Sequence, residues 1–158
     1  MPNIKLRGMN QAEFESFYQY SVVEYAKANV TSGRWSESES LENSRSQFKV
    51  LIPDGLETAN NEFLIAVDDD GERVGHLWLN LDYRPGTNSG SYIYDIEVEE
   101  SARGKGYGKA LLREAELFAK NAGSPKMGLN VFGANTVARN LYTSSGYETV
   151  AIQMQKEL

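Results

Sequence analysis

An α/β fold, with a central mixed sheet and helices on both faces, is what this sequence predicts. Three observations predict it. After a short first strand, the segments read helix, helix, three strands, helix, strand, helix, strand. A run of alternating glycines joins the third of those three strands to a strongly amphipathic helix. The chain has 158 residues, which fits one core, so residues 1–158 are read as a single domain.

Ile4 to Leu6 reads as a short edge strand. Asn10 and Glu13 form a capping-box pattern that opens a helix running to about Ala28, with Phe14, Phe17, Tyr18, Val22 and Tyr25 on one stripe. Thr31-Ser32-Gly33 breaks it, and Ser36 with Glu39 repeats the capping signature for a second helix to about Lys49. Pro53-Asp54-Gly55 is a turn. Phe63 to Asp68 and Arg73 to Leu81 are strands joined by the hairpin turn Asp69-Asp70-Gly71. The loop Arg84 to Gly90 precedes a strand at Tyr92 to Val98, rich in aromatic and β-branched residues. Lys109 to Ala122 is a helix with Leu111, Leu112, Ala115, Leu117 and Phe118 as apolar positions, ended by Gly123. Met127 to Phe132 is a strand, Asn135 caps a short helix to about Ser144, and Tyr147 to Gln155 is expected to close the sheet.

Hydrophobic residues make up 41% and charged residues 24%, an ordinary globular balance. The formal charge of −6 argues against nonspecific nucleic-acid binding, which needs a basic face, and favours cationic acceptors. No apolar run approaches the ~20 residues of a membrane span, and Met1 to Arg7 carries no apolar signal core. There is no cysteine, which removes disulfides, thiolate metal sites and cysteine nucleophiles and fits a cytoplasmic protein. One histidine, His76, cannot make a typical zinc site and is read as structural. Asp68 to Gly71 lacks EF-hand spacing and is read as a turn.

The chemistry concentrates in Arg103-Gly104-Lys105-Gly106-Tyr107-Gly108-Lys109, between a strand and a helix. Glycines let backbone N–H groups approach an anion closely. The first turn of a helix has unpaired N–H groups and a positive dipole end. Together they make a phosphate cradle, to which Arg103, Lys105 and Lys109 add positive charge. A Walker A loop does not fit, because Gly104 and Gly108 are too close and Ala110 follows Lys109 where Ser or Thr is required. A dinucleotide fingerprint fits poorly, since the third glycine comes one residue early.

This run resembles the acetyl-CoA-binding signature of the GCN5-related N-acetyltransferases, Arg/Gln-x-x-Gly-x-Gly/Ala. Asp95-Ile96-Glu97-Val98 stands where that family has the strand that splays to receive the pantetheine arm. Asn135, Ala138, Leu141 and Tyr142, followed by Gly146-Tyr147, resemble its C-terminal helix and following strand. The resemblance runs from about Phe63 to Leu158 and implies a largely antiparallel mixed sheet with four helices.

It also implies an enzyme that moves an acetyl group from acetyl-CoA to a primary amine, by direct transfer in a ternary complex and without a metal. Residues 103–109 would hold the pyrophosphate. The backbone of Ile96, Glu97 and Val98 would pair with the pantetheine, with the Val98 N–H as oxyanion donor. Asn135 and Ala138 would lie along the cofactor arm. Tyr142 matches the family's general acid, and a phenol with an ordinary pKa of ~10 stays protonated at neutral pH. Packing on the sheet is its competing reading. The base lies between Glu97 and Asp95, with Glu97 taken first, and Tyr94 occupies the position that carries a glutamate in polyamine acetyltransferases. A surface role for both carboxylates competes. Trp35 is the candidate acceptor contact. The acceptor is a small molecule or a peptide, neither nucleic acid nor membrane. Dimers are common in the family. A noncatalytic acyl-CoA-binding module is the alternative, and Tyr142 argues against it.

Overall fold

The computed structural model describes residues 1–84 and 89–158; most of the loop expected at Arg84 to Gly90 lies outside the described residues. Five strands form one sheet in the order β1 (Lys5–Gly8), β2 (Asn61–Val67), β3 (Arg73–Tyr83), β4 (Gly90–Val98) and β5 (Met127–Leu129). The first four are antiparallel neighbours, and β5 runs parallel to β4. Helices α1 (Gln11–Thr31) and α2 (Glu37–Leu51) pack on one face of the sheet; α3 (Tyr107–Asn121) and α4 (Thr136–Ser144) belong to the other.

Strand alternation divides the core in two. Leu64, Ala66, Leu77, Leu79 and Ile93 point toward α3, where they bury Leu111, Leu112 and Ala115. Phe63, Ile65 and Trp78 point the other way, against Phe14, Phe17 and Phe48. Trp78 is the hub of that second layer. It stacks on Phe63 and Tyr94, meets Phe17 edge-on, and donates its indole N–H to Asn61 Oδ1 at 2.8 Å. Leu77, Leu79, Leu111 and Leu112 are fully buried, and truncating any one to alanine costs about 2–5 kcal/mol.

The expected capping box of α1 is complete. Asn10 Oδ1 accepts from the Glu13 N–H at 2.8 Å, and Glu13 Oε1 accepts from the Asn10 N–H at 3.1 Å. Ser36 occupies the N-cap of α2, but its hydroxyl meets Ser38 Oγ at 3.3 Å and does not cap a backbone N–H, so the second capping box does not form. The hairpin turn forms as read: Asp68 Oδ1 accepts from the N–H groups of Asp70 and Glu72, and Gly71 takes φ +81°. Leu117, expected on the apolar stripe of α3, is exposed, and Ala110 and Ala119 are buried there beside Leu111 and Ala115.

Two strand expectations fail together. Met127 begins a strand, but the ladder ends at Leu129 and not at Phe132. Tyr147 to Gln155 forms no strand at all. A strand needs a hydrogen-bonded neighbour, and β4 partners β5 only through Ser91, Tyr92 and Ile93.

Candidate active site

The glycine loop delivers donors to the start of α3. Gly104 and Gly106 have φ of +73° and +87°, a region that side chains other than glycine rarely adopt. Gly106 is the N-cap of α3, and its carbonyl accepts from Ala110 at 3.2 Å. The N–H groups of Tyr107, Gly108 and Lys109 therefore begin the helix with no carbonyl one turn back. Gly108 lets this turn approach its neighbours: a Cβ there would stand 3.4 Å from Leu141 and 3.9 Å from Val98. The loop is braced by Lys105, whose Nζ donates to Ser101 O at 2.9 Å.

Beside this loop, β4 changes register. Trp78 pairs with Asp95 but Leu79 pairs with Ile93, so Tyr94 is the extra residue of a β-bulge. Past the bulge β4 has no partner on the β5 side among the described residues, since β5 stops pairing at Ile93. The Glu99 N–H donates to Val74 O on β3. Antiparallel alternation then turns the main-chain groups of Glu97 toward β3 and those of Ile96 and Val98 toward the open side. Arg103 occupies that side, and its Nε donates to Val98 O at 3.2 Å.

The bulge places Tyr94 and Asp95 on the α1–α2 face, where alternation also places Glu97. Tyr94 stacks on Trp78 with ring centroids 4.6 Å apart, and Asp95 Oδ2 lies 2.9 Å from His76 Nε2. Glu97 Oε1 accepts from the Tyr20 hydroxyl at 2.9 Å and lies 3.4 Å from Arg103 Nη2. Burial pushes the Tyr20 phenol up to about 12, and the hydrogen bond to Glu97 adds to the shift. Tyr142 is half-buried on α4, its ring 5.8 Å from Tyr147. Burial raises its phenol above the usual tyrosine value, and the negative charge of Asp95, near enough to be felt, raises it further.

A helix start with unpaired N–H groups, an open strand edge after a bulge, and a half-buried phenol that feels the charge of Asp95 form one constellation. The sequence model of the acetyltransferase (GNAT) family matches residues 18–147, most of the chain. This chain belongs to the GNAT family. It is similar to YdgE of Bacillus subtilis, an uncharacterized N-acetyltransferase, with 37% identity across 97% of each chain. The crystal structure of YycN from the same organism superposes with a TM-score of 0.93 at 32% identity, covering 99% of both chains. A second solved structure, from Pyrococcus furiosus, is 28% identical with a TM-score of 0.71, covering 99% of this chain and 100% of that one. The protein is thus an acetyltransferase with the five-stranded mixed sheet and four helices described above.

On this GNAT frame several expected residues converge. Gly104, Gly106, Gly108, Arg103, Ile96, Val98, Asp95, Glu97 and Tyr142 all border the open edge of β4 or the start of α3. Others make local contacts of their own. The Tyr107 hydroxyl reaches Asp68 Oδ2 at 3.5 Å, which leaves only its main chain to the loop. Lys105 is tied to Ser101 O. Asn135 Oδ1 caps α4 by accepting from the Ala138 N–H at 3.2 Å. Lys109 is exposed at the first turn of α3. Trp35 packs edge-on against Tyr25 at 5.5 Å under the Arg34 guanidinium, an aromatic contact of the α1–α2 turn.

Two neighbours of the carboxylates escaped the sequence reading. His76 was read as structural. It is indeed buried and edge-on to Phe17 at 5.3 Å, but it also holds Asp95. Tyr20 lies 77 positions from Glu97 in sequence. The strand alternation of β3 could have suggested His76, because it shares a face with Trp78; nothing in the local sequence marks Tyr20.

Proposed function

We propose that this chain transfers the acetyl group of acetyl-CoA directly to a primary amine within a ternary complex, residues 1–158 acting as one catalytic domain. The observation that carries this reading is the unpaired edge of β4 after the bulge, running from the α3 start toward Asp95 and Tyr142. An extended amide-bearing arm can add to such an edge as a strand does. The free N–H groups of residues 107–109 suit its phosphates, and the outward N–H of Val98 suits the thioester oxygen.

The steps balance without a covalent enzyme intermediate. The acceptor ammonium gives a proton to Asp95, with His76 fixing that carboxylate from behind. The neutral amine forms the new N–C bond at the thioester carbon, and Val98 N–H stabilises the oxyanion. The nitrogen, cationic once bonded, gives its second proton to solvent, and the C–S bond breaks as Tyr142 gives its proton to the thiolate. Asp95 then loses its proton to solvent and the Tyr142 phenoxide takes one up, so that each transfer from an ammonium acceptor releases one proton overall. Asp95 is preferred to Glu97 as proton acceptor because Glu97 already accepts from Tyr20 and faces Arg103. Asp95 also lies near Tyr142 electrostatically. The net charge of −6 and these two carboxylates favour a small cationic acceptor over an anionic one.

Thiol release tests the reading cleanly, because the protein contributes no cysteine of its own. Acetyl-CoA with a panel of polyamines, aminoglycosides, amino-acid amides and peptides should give amine-dependent release of coenzyme A. Acetyl-CoA binding by calorimetry with no release on any amine would make the chain a binding module.

A further inference from the structure

One histidine makes no zinc site by itself, but the finished β3–β4 ladder sets two carboxylates beside it. His76 on β3, with Asp95 and Glu97 on β4, offers three ligand atoms that all lie within 4.8 Å of one another. His76 is registered opposite Glu97 and reaches Asp95 diagonally, Nε2 to Oδ2 at 2.9 Å. Ligands held at about 2.0–2.2 Å around one ion stand roughly 3 Å apart, so this spacing suits neighbouring ligands of a single cation. An imidazole and two carboxylates make a transition-metal ligand set, with solvent completing the shell.

Three features separate this group from a pair of surface acids. His76 is only 4% exposed and is wedged edge-on against Phe17, so its ring is held in one orientation. All three residues stand on paired strands, which position side chains more tightly than loops do. Each carboxylate also has an oxygen to spare. Asp95 meets His76 through Oδ2, and Glu97 receives both the Tyr20 hydroxyl and Arg103 Nη2 on Oε1. Asp95 Oδ1 and Glu97 Oε2 have no hydrogen-bond partner among the described residues. An ion can therefore bind while Tyr20 and Arg103 go on orienting Glu97 from behind. The Asp95 and Glu97 side chains are 31% and 32% exposed, which gives the ion a way in. Arg103 opposes a cation, but its side chain is 59% exposed and two carboxylates outweigh it.

We propose that His76, Asp95 and Glu97 bind a divalent transition-metal ion, zinc foremost, and that the bound ion shuts off acetyl transfer. Zinc accepts imidazole nitrogen, whereas magnesium and calcium prefer oxygen alone. On binding, His76 presents a bare Nε2 and keeps its proton on Nδ1. Asp95 turns its lone pairs to the ion and no longer takes a proton from an acceptor ammonium, which the ion's charge also repels. The ion inhibits the reaction and takes no part in it. The shut-off rests on the reading of Asp95 as proton acceptor, and the binding does not.

His76 is its own reporter, because the chain has no other histidine and no cysteine. Zn2+ titrated into the untagged protein should shift the imidazole proton resonances and saturate at one ion per chain, while Mg2+ at the same concentration leaves them in place. Calorimetry should give a micromolar dissociation constant, raised about tenfold or more by Glu97→Gln and by Asp95→Asn. Both positions are partly exposed, and unchanged melting temperatures would confirm that the variants fold. Imidazole resonances indifferent to Zn2+, or undiminished Zn2+ affinity in either variant, would overturn the site. Acetyl transfer, followed by the mass of the acetylated amine because Zn2+ also binds the released thiol, should fall competitively with the amine and return with EDTA. Zn2+ bound at His76 with transfer undiminished would overturn the shut-off. No transfer to any amine before Zn2+ is added would sink the acetyl-transfer reading and the shut-off with it, and the resonances and calorimetry would still decide the site.

Discussion

Asp95 is held by His76 diagonally across the β3–β4 ladder: His76 is registered opposite Glu97, yet its Nε2 lies 2.9 Å from Asp95 Oδ2. Diagonal pairs in a sheet are within reach of long side chains, and the bulge at Tyr94 brings Asp95 onto the histidine's face. His76 is buried against Phe17 and is a positioning residue for Asp95. Replacing it with phenylalanine fills the space and removes the nitrogen. Turnover should fall about tenfold with KM for acetyl-CoA unchanged, the signature of a displaced transition-state group. His76→Gln, which keeps a donor, should recover most of the loss. Equal loss in both variants, accompanied by a lower melting temperature, would mean that the histidine is only core.

In the proposed reaction Tyr142 carries the departing proton. Tyr142→Phe should lower turnover roughly 10²-fold or more, the scale of general acid catalysis, while acetyl-CoA affinity measured by calorimetry changes less than threefold. The pH dependence has a definite sign. Burial, and then the Asp95 charge, raise the phenol above its ordinary value. The donor therefore remains loaded through the ordinary tyrosine range, and loss of this proton should produce no falling alkaline limb below about pH 10. A limb near pH 8 that vanishes in the phenylalanine variant would contradict the environment described for this residue.

Gly106 is required twice, by its φ of +87° and by its place at the mouth of α3. Gly106→Ala should cost about 1–2 kcal/mol of stability through backbone strain, and where the loop relaxes that strain by turning its N–H groups away it should weaken acetyl-CoA binding severalfold. Gly106→Glu adds negative charge where the proposed reading puts a phosphate and should abolish measurable binding. Both effects are read by titration calorimetry, with Gly71→Ala as the control: its φ is +81° on the distant hairpin, so it should cost stability and leave affinity alone.

Much of this was legible in the sequence where the cause is local. Asn10 and Glu13 cap α1 because both partners lie within one turn, and Gly104 and Gly106 take positive φ where the loop demands it. What depends on register was less legible. The pairing of His76 with Asp95 follows from a bulge whose position only the finished ladder fixes. The segment after Tyr147 has a strand's pattern but no neighbour, and periodicity describes a face without supplying the surface that covers it. Ser36 shows the opposite error. Its residue type suits a cap, but the nearby Ser38 hydroxyl competes for it.

Gly75 sets the spacing between β3 and β4 at the site. A Cβ there would come within 2.5 Å of Glu97 O and 3.1 Å of Leu111 Cδ2. The first contact is with backbone, so the strand itself must shift. Gly75→Ala should cost about 1–3 kcal/mol of stability in urea unfolding. It should also reduce turnover, because the displaced carbonyl belongs to the segment that presents Asp95 and Val98. Unchanged stability would show that β4 yields more easily than its ladder implies.

Glu13 links stability to pH. Arg7 Nη1 and Nη2 each donate to its carboxylate at 2.9 Å, and the Asn10 N–H donates to it as well. The Arg7 hydrogen bond first, and the backbone bond second, hold its carboxyl down at about 2, against an ordinary 4.5. The folded form thus releases this proton more readily than the unfolded chain does. The resulting stabilisation is complete above the unfolded value and is lost as pH falls from about 4.5 toward 2. Taken at face value the shift is worth about 3 kcal/mol. Arg7 is half-exposed, and solvent screening reduces this to about 1 kcal/mol. Urea unfolding of the unmutated chain and of Glu13→Gln should therefore differ by about 1 kcal/mol at pH 7 and converge near pH 2.5. If the gap persists undiminished at pH 2.5, the glutamate acts through cap geometry that glutamine cannot reproduce, and its charge contributes little.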